Sequence, residues 1–157
     1  MIALSEIVKA KRQISNTAIK TPCAFAPLLS QEVGADVYLK KENLQITGAY
    51  KLRGAYNKIA SLSDEERKRG VIAASAGNHA QGVAYSARSF DISATIIMPE
   101  ATPLLKVTGT KALGAEVLLH GDNYDEAYAY ALTYAKEHGL TFIHPFEDPN
   151  VIAGQGT

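Results

Sequence analysis

Only one cysteine, Cys23, occurs in the 157 residues, so no disulfide can form within the chain. That agrees with a reducing compartment, and a cytoplasmic location is the expectation. Neither sign of charge is in excess: 16 Lys and Arg oppose 16 Asp and Glu. The balance removes the electrostatic case for a nucleic-acid or anionic-membrane partner. Long apolar runs are missing too. No stretch approaches the ~20 residues that span a bilayer, and Met1 to Lys20 carries charges throughout, unlike a signal peptide. Internal repeats, low-complexity tracts and Gly/Ser-rich linkers are absent, and no Walker or dinucleotide glycine pattern occurs. What remains is an ordinary globular composition, 46% hydrophobic and 20% charged, long enough to bury a core.

Apolar spacing then divides the chain. Leu4, Ile7, Val8 and Ile14 can share one side of a helix. Thr21-Pro22 and Ala26-Pro27 interrupt helical geometry, and Val37 to Leu39 reads as a short strand. From Leu52 onward helices and strands alternate. Leu52, Ala55, Tyr56 and Ile59 have helical spacing, and Ser63 is placed to cap a short helix with acidic residues in its first turn. Val71 to Ala74, Ala94 to Met98, Val117 to Leu119 and Thr141 to Ile143 are compact apolar strands. Between them lie helical stripes through Val83 to Phe90, Leu104 to Leu113 and Ala127 to Ala135, the last two stopped by Gly114 and Gly139. Val151 to Thr157 looks like the first turns of a further helix. This alternation predicts an α/β fold with right-handed crossovers and a mainly parallel sheet.

Two segments carry chemical promise. Lys40 to Leu44 leads through a polar loop and Gly48 into a helix that starts near Lys51. A lysine there faces the positive end of the helix dipole, which lowers its pKa and favours the amine that attacks aldehydes. The alternative is a plain surface lysine. The second segment, Ala74-Ser75-Ala76-Gly77-Asn78-His79-Ala80-Gln81-Gly82, links a buried strand to a helix. Its small residues let a ligand approach the backbone, and N–H groups at a helix start hold carboxylate or phosphate. Such turns lie at the carboxyl end of the strands, where open α/β sheets bind ligands. The alternative is a tight turn capped by Ser75.

Taken in order, several motifs resemble the threonine dehydratase (threonine ammonia-lyase) branch of the pyridoxal-phosphate (PLP) enzymes with the tryptophan-synthase-β fold. They are Lys41-Glu42-Asn43-Leu44-Gln45, then Gly48 to Ala55, then ASAGNHAQGVA from Ala74 to Ala84. Met98-Pro99 through Thr102-Pro103 to Lys106-Val107 follows, then Gly114 to Val117, and finally His144 to Pro149 running into VIAGQGT. The resemblance covers nearly the whole chain and implies PLP as cofactor and a small amino acid as substrate. L-Threonine would yield 2-oxobutanoate and ammonia, and L-serine pyruvate. It implies that Lys51 bears the cofactor and moves the Cα proton, that Asn78 contacts the cofactor's 3′ oxygen, and that Tyr50 lies beside the ring. It also places Ser75, Ala76, Gly77 and His79 where the substrate carboxylate is gripped, with packing as the alternative role for the His79 ring. No metal is implied.

The resemblance further implies a small α/β domain over residues 47–145. Residues 1–46 and 146–157 would belong to a second, larger and incomplete α/β domain. Many relatives carry Ser-Phe-Lys where this chain has Ala49-Tyr50-Lys51, so a ligand-binding hydroxyl is missing here. The family's glycine-rich phosphate loop falls after Thr157. Exposed apolar surface on Met1 to Leu44, weak PLP binding and little turnover by this chain alone are therefore expected, with homo-oligomerisation of the complete enzyme. Serine racemase shares the same lysine and asparagine loop and is the nearest rival. A non-catalytic interaction module that keeps the small domain, or a plain nucleotide-binding domain, are rivals of other classes.

Overall fold

Strands β3 (Val71–Ala74), β4 (Ala94–Met98), β5 (Glu116–Leu119) and β6 (Thr141–Phe142) form one sheet in the order β5-β4-β3-β6, with every neighbouring pair parallel. The computed structural model describes all 157 residues. β3 and β4 are buried along their whole length, which explains why they read as apolar runs broken only by Thr95: helices cover both faces. Val71, Ala73, Ile96, Met98 and Val117 point to one face and meet α3 (Lys51–Ala60), α5 (Asn78–Ser89) and Val107 of α6 (Leu104–Ala112). Ile72, Ala74 and Ile97 point to the other and meet Ala127, Ala131 and Ala135 of α7 (Tyr124–His138). The result is the three-layer α/β arrangement that the alternation predicts.

Sheet order decides where a ligand can enter. The chain leaves β3 for β4 on one side, and returns much later as β6 on the other side of β3. The strand order therefore reverses between β3 and β6, and their carboxyl ends open a crevice there. Loops after β3 and β6 and the first turns of α3, α5 and α7 border it.

Local signals behave as expected in most places. Ser63 caps α4 (Asp64–Arg69), accepting from the Glu66 N–H at 3.2 Å while Glu66 Oε2 accepts from the Ser63 N–H at 2.8 Å. α7 stops at Gly139. The terminal helix α8 (Pro149–Gln155) begins earlier than its apolar pattern suggests. Asp148 Oδ1 accepts from the Asn150 and Val151 N–H groups, and Pro149 takes the first helical position, where its missing N–H costs nothing.

The region before α3 differs more. Besides α1 (Leu4–Gln13), it contains β1 (Cys23–Phe25), α2 (Pro27–Val33) and β2 (Tyr38–Lys40), with β1 and β2 pairing as a separate antiparallel ribbon. β2 is shifted by one residue from the expected strand. Pro27 does not simply interrupt; it starts α2. Leu28, Leu44, Tyr38 and Ile46 here are exposed, the first at 82%.

α8 packs along α3 at a crossing made by two glycines. A Cβ on Gly54 would lie 2.7 Å from the Val151 carbonyl oxygen, and one on Gly154 would lie 2.8 Å from the Gly54 Cα. α3 and α5 also approach closely: a Cβ on Gly82 would lie 3.2 Å from the Lys51 carbonyl carbon.

Candidate active site

Lys51 is the first residue of α3, and its half-buried side chain enters the crevice between β3 and β6. There Nζ donates to the Pro145 carbonyl oxygen at 2.8 Å, and it lies 4.7 Å from the Phe146 ring centre and 5.5 Å from that of Tyr50. No carboxylate forms an ion pair with it. Burial lowers its pKa below the ordinary lysine value. The direction agrees with the sequence expectation, but the cause is desolvation among rings and backbone rather than the helix dipole.

The Ser75–His79 turn forms the facing wall. Ser75 follows β3, and its Oγ accepts from the Gly77 N–H at 3.1 Å, so it closes the turn without capping α5. The N–H groups of Ala76, Asn78, His79 and Ala80 find no acceptor within the protein. Three of these belong to the first turn of α5, where N–H groups lack intrahelical partners and the dipole is positive. Asn78 is exposed, and its side-chain amide bonds to no protein group. Tyr50, Lys51, Ala74, Ser75, Asn78 and His79 line one cleft of about 240 Å³. Ala76 instead packs against the core, and Gly77 has open space where a Cβ would be.

The His79 ring is packed inward, the alternative role that the sequence leaves open for it. It is 4% exposed, and its Nε2 lies 2.9 Å from the Ile143 carbonyl oxygen, which fixes Nε2–H as the donor. Nδ1 is buried without a partner. Burial, followed by the Lys51 and His144 charges, pushes its pKa down to about 4 despite the bond to Ile143. The folded protein therefore keeps a neutral imidazole where the unfolded chain takes up a proton below about 6.5. Stability is unaffected above that pH and falls as pH drops towards about 4, by about 3 kcal/mol in all. Urea unfolding between pH 7 and 4 should show this loss in the native protein and not in His79→Gln; equal slopes in both would refute it.

Three cleft residues have no site role in the sequence reading, although two fall within the His144-to-Pro149 motif: Tyr124, Pro145 and Phe146. Tyr124 opens α7 after β5, and Pro145 and Phe146 follow β6, so all three lie just past the carboxyl ends of strands. That rule flags such positions once strand order is known. Burial, with Tyr128 and Asp125 adding to it, raises the Tyr124 phenol pKa and keeps it a neutral donor. His144 shapes the loop: its Nδ1 accepts from the Phe146 and Glu147 N–H groups at 3.0 and 2.9 Å.

The Lys41-to-Gln45 motif acts from outside the cleft. Glu42 takes two bonds from the nearly buried Arg53, at 2.8 and 3.0 Å. Burial works against the Glu42 charge, yet Arg53 and Thr21 hold its pKa below the usual carboxylate value. Gln45 is buried and bonds both the N–H and the carbonyl of Ile19. These contacts anchor the loop that delivers Lys51. No group of three or more His, Cys, Asp or Glu side chains is placed to hold a metal, and no helix is long and apolar enough to cross a membrane.

The arrangement suits an aldehyde-bearing, anionic ring. It combines an amine with reduced proton affinity, an unengaged amide, unclaimed helix N–H groups and aromatic walls. At about 240 Å³ the cleft is smaller than the ~300–1,000 Å³ of complete small-molecule pockets, so it can take a ring more readily than a whole cofactor with substrate.

Known proteins point the same way. L-Threonine ammonia-lyase of Thermotoga maritima is 57% identical over 157 residues, spanning all of this chain and 39% of that protein. The processed form of threonine deaminase isoform 2 from Solanum lycopersicum superposes with a TM-score of 0.88 at 43% identity, over 99% of this chain and 44% of that one. Serine racemase from Dictyostelium discoideum gives 0.89 at 33% identity, over 98% and 50%. The chain thus spans half or less of each of these relatives. The family profile described as pyridoxal-phosphate dependent enzyme matches residues 14–157, and the chain belongs to that family.

Proposed function

We propose that this chain supplies the lysine and substrate-binding walls of a lyase that converts L-threonine to 2-oxobutanoate and ammonia, and L-serine to pyruvate and ammonia. One observation carries the reading: an amine with lowered proton affinity, Lys51, shares a cleft at the sheet's switch point with unclaimed N–H groups of a helix start. The relatives named as threonine ammonia-lyase and threonine deaminase support the substrate class.

When bound, PLP supplies an electron sink for the charge left at Cα. The chain's own groups do the rest. Lys51 Nζ would hold the cofactor and, once the substrate's amine has displaced it, would take the Cα proton, a role favoured by its lowered pKa. The Asn78 amide, which bonds no protein group, would donate to the cofactor's ring oxygen. The Ser75 hydroxyl and the N–H groups of Ala76, Gly77 and His79 hold the substrate carboxylate; that of Gly77 must first leave Ser75 Oγ. The His79 part in this is its backbone, because its ring is bonded to Ile143. Tyr50 and Phe146 flank the amine, and Tyr124 offers a neutral hydroxyl to the polar end of the substrate.

The test supplies the purified enzyme containing this chain with PLP and either L-threonine or L-serine. Borohydride should add the cofactor's mass to the Lys51 peptide, and 2-oxo acid should accumulate from both substrates. Mass added only elsewhere would sink the reading of the site. D-Serine without 2-oxo acid would replace the lyase by a racemase, the activity named for one of the structural neighbours.

A further inference from the structure

Two walls of the cleft hold the same short piece of chain. His79, from the start of α5, holds the Ile143 carbonyl at 2.9 Å, and Lys51, from the start of α3, holds the Pro145 carbonyl at 2.8 Å. These carbonyls are two residues apart, so the backbone between them spans no more than about 7 Å. The segment is itself fixed. The Ile143 N–H donates to the Ile72 carbonyl at 2.8 Å, extending the β3–β6 ladder, and His144 Nδ1 secures the Phe146 and Glu147 N–H groups beyond. Phe146, at the far end, lies against the Lys51 amine.

We infer that His79 is a positioning residue whose Nε2–H tethers the 143–147 segment to the asparagine turn, and so sets where Lys51 and Phe146 stand relative to that turn. The inference rests on the lyase reading for its kinetic consequence, but the tether itself is independent of it. A buried imidazole with one partnered nitrogen and one orphaned nitrogen is a costly choice for mere packing. An apolar side chain of similar size would fill the volume without that cost. Nor does the ring suit proton transfer: its donor nitrogen is committed to a backbone carbonyl and the other is closed off from water. What the imidazole provides that leucine cannot is one directed N–H at the end of a rigid ring.

Three variants separate the tether from volume and from imidazole chemistry. His79→Leu keeps bulk but no donor. His79→Gln carries an amide N–H that reaches the Nε2 position, and His79→Asn carries one that stops short of it. Amide exchange at Phe146 and Glu147 reads the order of the segment without cofactor or substrate. His79→Leu should speed that exchange by about tenfold and lower kcat of the PLP-loaded enzyme by about tenfold, with KM changed less than about threefold. His79→Gln should restore both to within about threefold of the native values, and His79→Asn should behave like His79→Leu, serving as the readout if the leucine variant does not fold. Native exchange and kcat in the donor-free variants, or a glutamine variant no better than leucine, would overturn the tether. If exchange follows this pattern but the unsubstituted protein captures no PLP on Lys51, the tether stands and the lyase reading falls.

Discussion

Lys51→Ala is expected to lose at least about a thousandfold in kcat/KM for L-threonine, and to lose capture of PLP by borohydride at this peptide. Lys51 is the one lysine lining the cleft, so no second amine stands ready to substitute. Stability should change little. The side chain is half-buried without an ion partner, so removing it relieves a desolvation cost while losing one bond to the Pro145 carbonyl. The informative companion is Lys51→Arg. A guanidinium preserves the positive charge and can still reach a carbonyl, but it stays protonated and cannot attack an aldehyde. If charge alone matters, arginine will retain activity. If the neutral amine matters, arginine will be as inactive as alanine. Retention of more than about a tenth of native kcat/KM by Lys51→Arg would exclude the nucleophile role.

Gly154→Ala should destabilise the fold by about 3 kcal/mol, a drop in Tm of about 6–12 °C for a chain of this size. The added methyl would collide with the Arg53 carbonyl oxygen and would lie 2.8 Å from the Asn57 Cβ and the Gly54 Cα. Backbone on the partner helix cannot rotate out of the way as a side chain can, so α8 must lift from α3. Two further contacts then suffer: Lys58 Nζ with Asp148 Oδ2 at 2.8 Å, and Asn57 Nδ2 with the Asn150 carbonyl at 2.8 Å. Gly156→Ala is the control. Its methyl would meet the Ile7 side chain at 3.1 Å, a group able to shift. Thermal unfolding of both variants decides the matter; a loss below about 1 kcal/mol at Gly154 would mean that the helices do not cross as closely as described.

Much of the architecture was legible because burial leaves a simple pattern. β3 and β4 have helices on both faces, so their sequences are almost wholly apolar, with Thr95 the one polar residue, and the helices between them carry one apolar stripe each. The ribbon of β1 and β2 was harder to see. Each strand has three residues, too few for alternation to register, and Pro27 looks like an interruption until its place at the start of α2 is known. Within the cleft, Lys51, Ser75 and Asn78 were legible from local motifs, since each sits at or just before a helix start. Tyr124, Pro145 and Phe146 were not, because they enter only when β6 lies beside β3, a pairing between residues about 70 apart in sequence. The same non-local pairing turns the His79 ring towards Ile143, and no spacing in the Ala74-to-Gly82 segment announces that. Burial of Lys51 among rings likewise depends on Phe146, which is why the motif gave the direction of the pKa shift but not its cause.

The near-contact of Gly82 with the Lys51 backbone has a bearing on how molecules get in and out. With no slack between α3 and α5, the amine and the asparagine turn behave as two jaws cast in one piece. Tyr124 and the Pro145–Phe146 loop form the opposite rim, and the bonds from Lys51 and His79 bind that loop to the same two jaws.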